Sequence, residues 1–540
     1  MQTFGLAMVL LLPKPELAER IMSHLDRNEV ATSFRVINKA MAKHLIGPEH
    51  TTVRLSQPVP PHAFTEHWVS PGATRRLTLQ KRRKLLSLTA ATGVVANLEV
   101  AEQVAGCLLC YEVFEAAASA GQLVSCKWLL ERGCPTSPPW RKGSGLLAAA
   151  AGGGHWRVCE WLLSLDLTWS SGGEAEAARG GHVRLMEHLQ ERCIWPEFLQ
   201  AEYRKAEIVK GVSHGCDLAT LQRLWPTWGK LEWQDRRDAL AAAAGSSTPD
   251  WASKVEWLEE QGCPRSAAVA CGVVSRPDAF ARLAWLRGRG YPLDESAVEE
   301  AARAGNMELV RHLVTEASVP PADDSSVPTD AAALAGHLTV LQALHGAGWA
   351  LFPDAAAEAA TSGGHVHVLA WLLETFGAAA LELDDPGMPC AAGNSCSAEL
   401  LTWLREHGCD WCEATYRGAA ESGCEVTLEW LAERGCPMPD DGSPYTAACV
   451  NGDLATARCL RRLGCPWGSE ENGPFSGALH AGAPVPMIRW LLEEGCPVDC
   501  ETGPGGYILG GYMRPWPAGM HELVEEFKLR RRSRRVRWGA

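Results

Sequence analysis

The chain has 540 residues, 46 % of them hydrophobic, with 20 Cys, 22 Trp and a formal net charge of −13, enough for several domains or one long repeat array. Seven basic side chains and no acid lie in residues 528–537, and removing those seven positive charges leaves −20 for the rest, an acidic body that disfavours nucleic acid and anionic membranes. No apolar run approaches the roughly 18 residues of a membrane span, and Phe4–Leu12 lacks the basic flank and cleavage site of a secretory signal.

In chain order the first pattern is Leu12-Pro13, Glu16-Leu17, Ile21 and Leu25, continuing through Glu29-Val30 and Val36-Ile37-Asn38. Apolar residues three or four apart predict short amphipathic helices. This segment, residues 1–56, resembles an F-box. The resemblance implies docking onto the adaptor subunit of a cullin-type ubiquitin ligase through Leu12, Pro13, Leu17, Ile21, Leu25 and Val30. A three-helix cap or a degenerate remnant needs the same stripe, so both readings stay open. Pro58, Pro60 and Pro61 break helical structure, and residues 57–84 read as a linker followed by a basic helix. There Arg75, Arg76 and Lys81-Arg82-Arg83-Lys84 are expected to form a solvated face.

Residues 85–500 repeat one phrase: Ala-Ala-x-x-Gly, a polar residue, an apolar helix ending Trp-Leu, then Gly-Cys-Pro. Examples are AAASAGQLVSCKWLLERGCP (116–135) and GAAESGCEVTLEWLAERGCP (418–437). Anchoring on the first glycine gives Gly93, Gly121, Gly154, Gly181, Gly215, Gly245, Gly272, Gly305, Gly336, Gly364, Gly393, Gly423, Gly452 and Gly482, a period of about 30 residues. Gly93, Gly215, Gly245 and Gly272 mark the weakest copies, the last two with insertions before Trp257 and Trp285. The interval from Trp to the second glycine is constant at Trp128/Gly133, Trp257/Gly262, Trp285/Gly290, Trp403/Gly408, Trp430/Gly435 and Trp490/Gly495. Each unit predicts two helices. The Ala pair lets first helices approach closely, both glycines end helices with positive φ, and Pro stops the second. The Trp-Leu pair is expected to supply buried area, and the Cys to fold back on the last helical turn. One such pair cannot bury both of its faces, so stability comes from stacking on neighbours.

The phrase Ala-Ala-x-x-Gly-His followed by Leu-Leu, best at Gly154-His155, Gly181-His182, Gly336-His337 and Gly364-His365, resembles the ankyrin repeat. The Trp-rich, Gly-Cys-Pro form looks like the ankyrin families of green algae. The Thr-Pro-Leu-His turn survives only as Ser443-Pro444-Tyr445-Thr446-Ala447, so shortened fingers between units are expected. The fold class is thus all-α, an ankyrin-like helical-repeat solenoid with a small N-terminal helical F-box-like domain. Residues 501–527 read as a C-terminal cap of turns and one short helix. Residues 528–540 form a basic tail (Lys528, Arg530, Arg531, Arg532, Arg534, Arg535, Arg537), which suits a nuclear import signal, a weak anionic-lipid contact or a solubilising end.

Cys107/Cys110 and Cys409/Cys412 are about 300 residues apart, too far along a linear stack to share zinc. The repeated His occupies one structural slot, and no phosphate loop, nucleophile elbow or His-Glu-x-x-His stands out. No catalytic, metal or cofactor residue is assigned. Trp349, Trp411 and Trp467, after the second glycine, either offer hot spots to a partner or pack on the next helix pair. The reading is a non-enzymatic, intracellular (cytoplasmic or nuclear) protein-binding scaffold with no nucleic-acid partner. The F-box resemblance implies, more finely, a substrate receptor of a cullin-type ubiquitin ligase. The alternatives are a lipid hydrolase related to sphingomyelin phosphodiesterase, or a plain scaffold with an F-box remnant.

Overall fold

The computed structural model describes residues 15–526, apart from 38, 140–141, 193–200, 317–318, 322–324, 384, 386, 469–472, 498–506, 510–511, 515–521 and 524–525. The chain forms two compact units, residues up to Thr74 with Lys81–Arg204, and Arg75–Gln80 with Lys205 onward. The division falls in helix Ala201–Gly215, at one of the weak copies.

From helix Leu79–Thr92 to helix Val485–Glu493 the described residues form 14 helix pairs, the all-α repeat solenoid expected from the periodicity. In most pairs an A-helix ends just before the first glycine and a B-helix follows it. The repeat at Gly121 shows how residues dictate the geometry. Its A-helix is Tyr111–Ser119 and its B-helix Leu123–Glu131. At the A-helix end Gly121 takes φ +72°, so the Gln122 N–H turns back onto the Ala117 carbonyl at 3.0 Å and the Gly121 N–H onto Ala118 at 3.0 Å. The B-helix ends the same way. Gly133 takes φ +70°, and the N–H of Cys134 donates to the Leu129 carbonyl at 3.0 Å. Both are six-to-one Schellman closures, which satisfy end carbonyls and fix the exit direction. Cys134 is buried, and its thiol donates to the carbonyl of Cys110, the N-cap of its own A-helix, at 3.3 Å. Cys436 does the same to Cys412 at 3.6 Å. The cysteine therefore ties the end of each such repeat to its beginning.

Ten of the 14 anchoring glycines have positive φ. Gly215, Gly245, Gly272 and Gly393 do not. Gly393 lies inside helix Gly387–Ser395, where a Cβ would strike the Thr415 carbonyl of the next A-helix. Its role is close approach. The left-handed position of that repeat belongs to Cys396, at φ +57°.

The Trp-Leu pair splits in function. Leu129, Leu162, Leu258, Leu286, Leu372, Leu404, Leu431 and Leu491 are at most 1 % exposed. Trp128, Trp371 and Trp430 are alike in being only half-buried. The expectation that the pair is buried as a unit holds at Trp490, 6 % exposed, and is corrected at these three. Guanidinium groups four residues on cover three of these rings, Arg132 over Trp128 at 4.7 Å, Arg289 over Trp285 at 4.8 Å and Arg434 over Trp430 at 4.2 Å, a cation–π arrangement. Ion pairs run from B-helix to B-helix one repeat away: Arg132 to Glu102 at 2.6 Å, Arg192 to Glu160 at 2.9 Å, Arg462 to Glu429 at 2.6 Å.

The N-terminal module contains helices Pro15–Met22, Lys39–His44 and Pro48–Thr51 beside a helical turn ending in Val30–Phe34. Val30, Phe34, Met41 and Leu45 form its core, with Met22 and Leu25 packed against it. Asn28, fully buried, donates to the carbonyls of Arg54, Gln57 and Pro58 and accepts from the Arg54 N–H, fixing the loop that follows. Two expectations for 57–84 are corrected. Pro61 begins helix Pro61–Trp68 instead of breaking structure, because a first-turn proline loses no helical hydrogen bond. Arg82, expected on a solvated face, is 2 % exposed and donates to the Ala105 carbonyl at 2.8 Å. Helix Leu79–Thr92 also runs across the 84/85 boundary. Strands Tyr507–Leu509 and Tyr512–Arg514 pair antiparallel in the region expected to hold turns and a helix. They are the only strands among the described residues, apart from an isolated bridge between Ser144 and Trp169. No described helix is long and apolar enough to cross a membrane.

Candidate interaction surface

Successive repeats meet where the residue after one repeat's left-handed glycine reaches back to the repeat before. His155 lies against Gly121, His182 against Gly154, His337 against Gly305 and His365 against Gly336, so closely that a Cβ on any of these glycines would collide with the imidazole. His155 Nε2–H donates to the Ser119 carbonyl at 2.9 Å, and His365 Nε2–H to Leu334 at 3.1 Å. Both acceptors end the preceding A-helix, where carbonyls lack intrahelical donors. Burial holds the His365 pKa below the usual imidazole value.

The repeats with insertions lack this histidine and use a buried cation. Lys254, 0 % exposed, donates to the carbonyls of Ser213 (2.7 Å) and Cys216 (2.9 Å) and to the Ser246 hydroxyl (2.8 Å). Arg282, 3 % exposed, donates to the carbonyls of Ala244 (2.6 Å) and Ser246 (2.8 Å), pairs with Asp278 at 2.9 Å and lies over the Trp251 ring. Burial pushes the Lys254 ammonium down to about 8, against the pull of Asp250, Cys216 and Asp217. Sequence reasoning missed both residues. The insertion moves the donor away from the Gly-His register, and the signal was a cation in the middle of an apolar helix stripe.

The predicted partner residues separate. Trp349, directly after Gly348, occupies the buried slot of Cys134: its N–H closes onto the Leu344 carbonyl and the side chain is 3 % exposed. It offers no surface to a partner, and that assignment is corrected. Trp411 is half-buried, edge-on to Trp430 at 5.3 Å, with its indole N–H on the Leu401 carbonyl at 3.2 Å. Trp467 is half-buried and stacks on Tyr445 at 4.1 Å. Both pack on neighbouring elements. Val30 is core, 5 % exposed, and so is no contact residue, while Ile21 is exposed and Leu25 half-buried. Leu12, Pro13, the Leu17 side chain and the basic residues Lys528–Arg537 lie outside the described residues.

A groove of about 490 Å3 crosses three A-helices of the first unit. Its floor is Ala148, Ala149 and Gly152 of helix Leu146–Gly152. Glu115 and Ser119 form one wall, Glu176 and Arg179 the other. Small floor residues bring a bound segment close to backbone, and the walls offer both charges. A second cavity of about 640 Å3 in the N-terminal module is lined by Val53, Leu55, Phe64 and Trp68, with Glu66 and His67.

The 18 described cysteines form no disulfide. Burial pushes the thiols of Cys126, Cys159, Cys263, Cys436, Cys459 and Cys465 up to about 12, where they are inert. Among the described residues one group, Glu425, Glu429 and Cys459, has metal-ligand spacing. Arg462 pairs with both carboxylates, at 3.4 and 2.6 Å, so the group already has a cation.

No protein-family model matches the chain, and no curated protein does. Among solved structures it is similar to the pentatricopeptide repeat protein PPR10 in complex with an 18-nt psaJ RNA element (TM-score 0.26, 11 % identity, 97 % of this chain and 95 % of that one). A form of that protein with three cysteines changed to serine, also with the RNA, gives the same values. PPR10 from maize gives a TM-score of 0.23 at 12 % identity over 98 % and 95 % of the two chains. Two of these neighbours hold RNA, against the expectation of no nucleic-acid partner, which is withdrawn: a net charge averages over all faces and debars no single one. Low TM-scores leave the fold resting on this chain's own repeated closures: it is a helical-repeat solenoid.

Proposed function

We propose that the chain is a non-enzymatic binding scaffold of the ankyrin-like kind, with the A-helix groove over Glu115, Ala149 and Glu176 as a contact site for an extended protein segment. The groove carries the reading: it is an open furrow across three A-helices, lined by small and charged residues. Buried thiols held in the protonated form suit a reducing compartment, cytoplasm or nucleus. The N-terminal module, with Ile21 exposed beside a formed core, supports the finer reading of a ligase substrate receptor.

The test is crosslinking of the full chain in cells with recovery of its partners. Ala149→Arg fills the groove floor and is expected to reduce partner recovery at least about tenfold at unchanged fold, since a buried unpaired charge at a contact is costly. Undiminished recovery removes the groove from the account. Leu17→Ala with Ile21→Ala tests adaptor docking separately, by loss of the ligase adaptor alone. Recovery abolished by ribonuclease would put RNA in place of a protein partner.

A further inference from the structure

The repeat interface carries one departure that is chemical as well as geometric. At four interfaces a histidine lies against a left-handed glycine. At the interface between the repeats of Cys396 and Gly423 both positions are cysteine. Cys396 holds the left-handed position at φ +57°, and Cys424, directly after left-handed Gly423, holds the slot of His155 and His365. The frame that presses imidazole onto glycine elsewhere here brings two sulfurs together. A left-handed β-carbon is strained, and at this interface the residue facing it is the small Cys424 in place of an imidazole.

The surroundings are arranged for reaction. Cys396 is half-exposed while Cys424 is 4 % exposed. The Ser422 hydroxyl lies 2.9 Å from the Ala419 carbonyl and 2.7 Å from the Cys396 sulfur. The Thr427 hydroxyl donates to the Cys396 carbonyl at 3.4 Å. The Cys396 thiol hydrogen-bonds the Cys424 sulfur and, with Thr427, holds the Cys424 thiol below the ordinary value against burial, opposite to the buried thiols of Cys436 and Cys459.

We infer that Cys396 and Cys424 are a peroxide-reactive dithiol that closes to a disulfide across the repeat interface. The Cys396 proton passes to the Cys424 thiolate beside it, and the half-exposed Cys396 thiolate attacks hydrogen peroxide, breaking its O–O bond and becoming a sulfenic acid as hydroxide leaves and takes that proton back from Cys424 as water. The Cys424 thiolate attacks that sulfur, the S–S bond forms, and the sulfenic oxygen departs as a second water. Two thiols lose two electrons and two protons, and one peroxide is reduced to two waters. A thiol reductant reverses the closure.

The experiment uses the intact chain, treated with limiting hydrogen peroxide, alkylated, digested and read by mass spectrometry. The expected result is a reductant-sensitive peptide joining Cys396 to Cys424, formed at least about tenfold faster than oxidation of Cys126 or Cys159, whose thiolates are suppressed. Cys396→Gly restores the residue used elsewhere, so it is expected to fold, to retain full helicity and to lose the crosslink. Cys424→Ser is expected to stop oxidation of Cys396 at the sulfenic acid. Equal oxidation of all thiols, a crosslink surviving Cys396→Gly, or sulfenic acid persisting at Cys396 in the unchanged chain would overturn the assignment.

Discussion

The interfaces clamped by His155 and His365 and those clamped by Lys254 and Arg282 meet one requirement with different residues. In each, the carbonyls ending one A-helix must be satisfied from the next repeat. Where the turn is short, an imidazole directly after the left-handed glycine reaches them. Where residues are inserted, as before Trp251 and Phe280, a longer donor from inside the B-helix does so and is buried. What these four interfaces share is therefore a hydrogen-bonding task, and a repeat that looks degenerate by residue identity is intact by that criterion.

The strongest way to break the comparison is Lys254→Met. It leaves the Ser213 and Cys216 carbonyls without the Lys254 donor, at about 1–3 kcal/mol for each group left unsatisfied, and the unfolding free energy is expected to fall by several kcal/mol. A cost below about 1 kcal/mol would mean that the cation is not the clamp. Next comes Gly121→Ala, expected to cost about 2 kcal/mol or more from the left-handed backbone and collision with the His155 ring. In a His155→Ala background the collision is gone and the penalty should drop to about 1 kcal/mol; an unchanged penalty would contradict the packing. His155→Ala alone is expected to cost about 1 kcal/mol, one half-buried hydrogen bond, less than Lys254→Met.

The smallest effect sharpens the comparison through pH. The Lys254 ammonium titrates near 8 folded and at 10.5 unfolded. Within that window the unfolded state binds more protons, so the lysine's contribution to stability rises with pH. Urea midpoints from about pH 8 to 9 should climb in the unchanged chain relative to Lys254→Met. Parallel profiles would count against a buried, depressed amine.

The histidine interfaces were legible in the sequence because turn, donor and helix start fall within a few residues, as at Gly154-His155. The cation interfaces were not, since insertions separate Gly245 from Lys254. Gly393 satisfied the repeat pattern while serving another purpose, and it concealed Cys396 three residues on. The Trp-Leu pair was read as one buried unit, yet adjacent helical residues point about 100° apart, and the core took Leu129 and left Trp128 at its margin. In the N-terminal segment the apolar stripe was visible, but not which of its members face inward. Val30 does, and Ile21 does not. For Trp349 the text showed a Trp after glycine, and only the closure of its N–H onto Leu344 identified the cysteine slot.

The most direct measurement excises one whole module. Removing residues 336–363 joins Ala335 to Gly364, replacing one left-handed glycine by its equivalent. A stack held by neighbour-to-neighbour burial should keep its helicity per residue and unfold cooperatively at a modestly lower midpoint. An excision half as long, which puts Gly364 out of phase, should not. Loss of cooperative unfolding after the in-phase excision, or equal tolerance of both, would contradict the modular account.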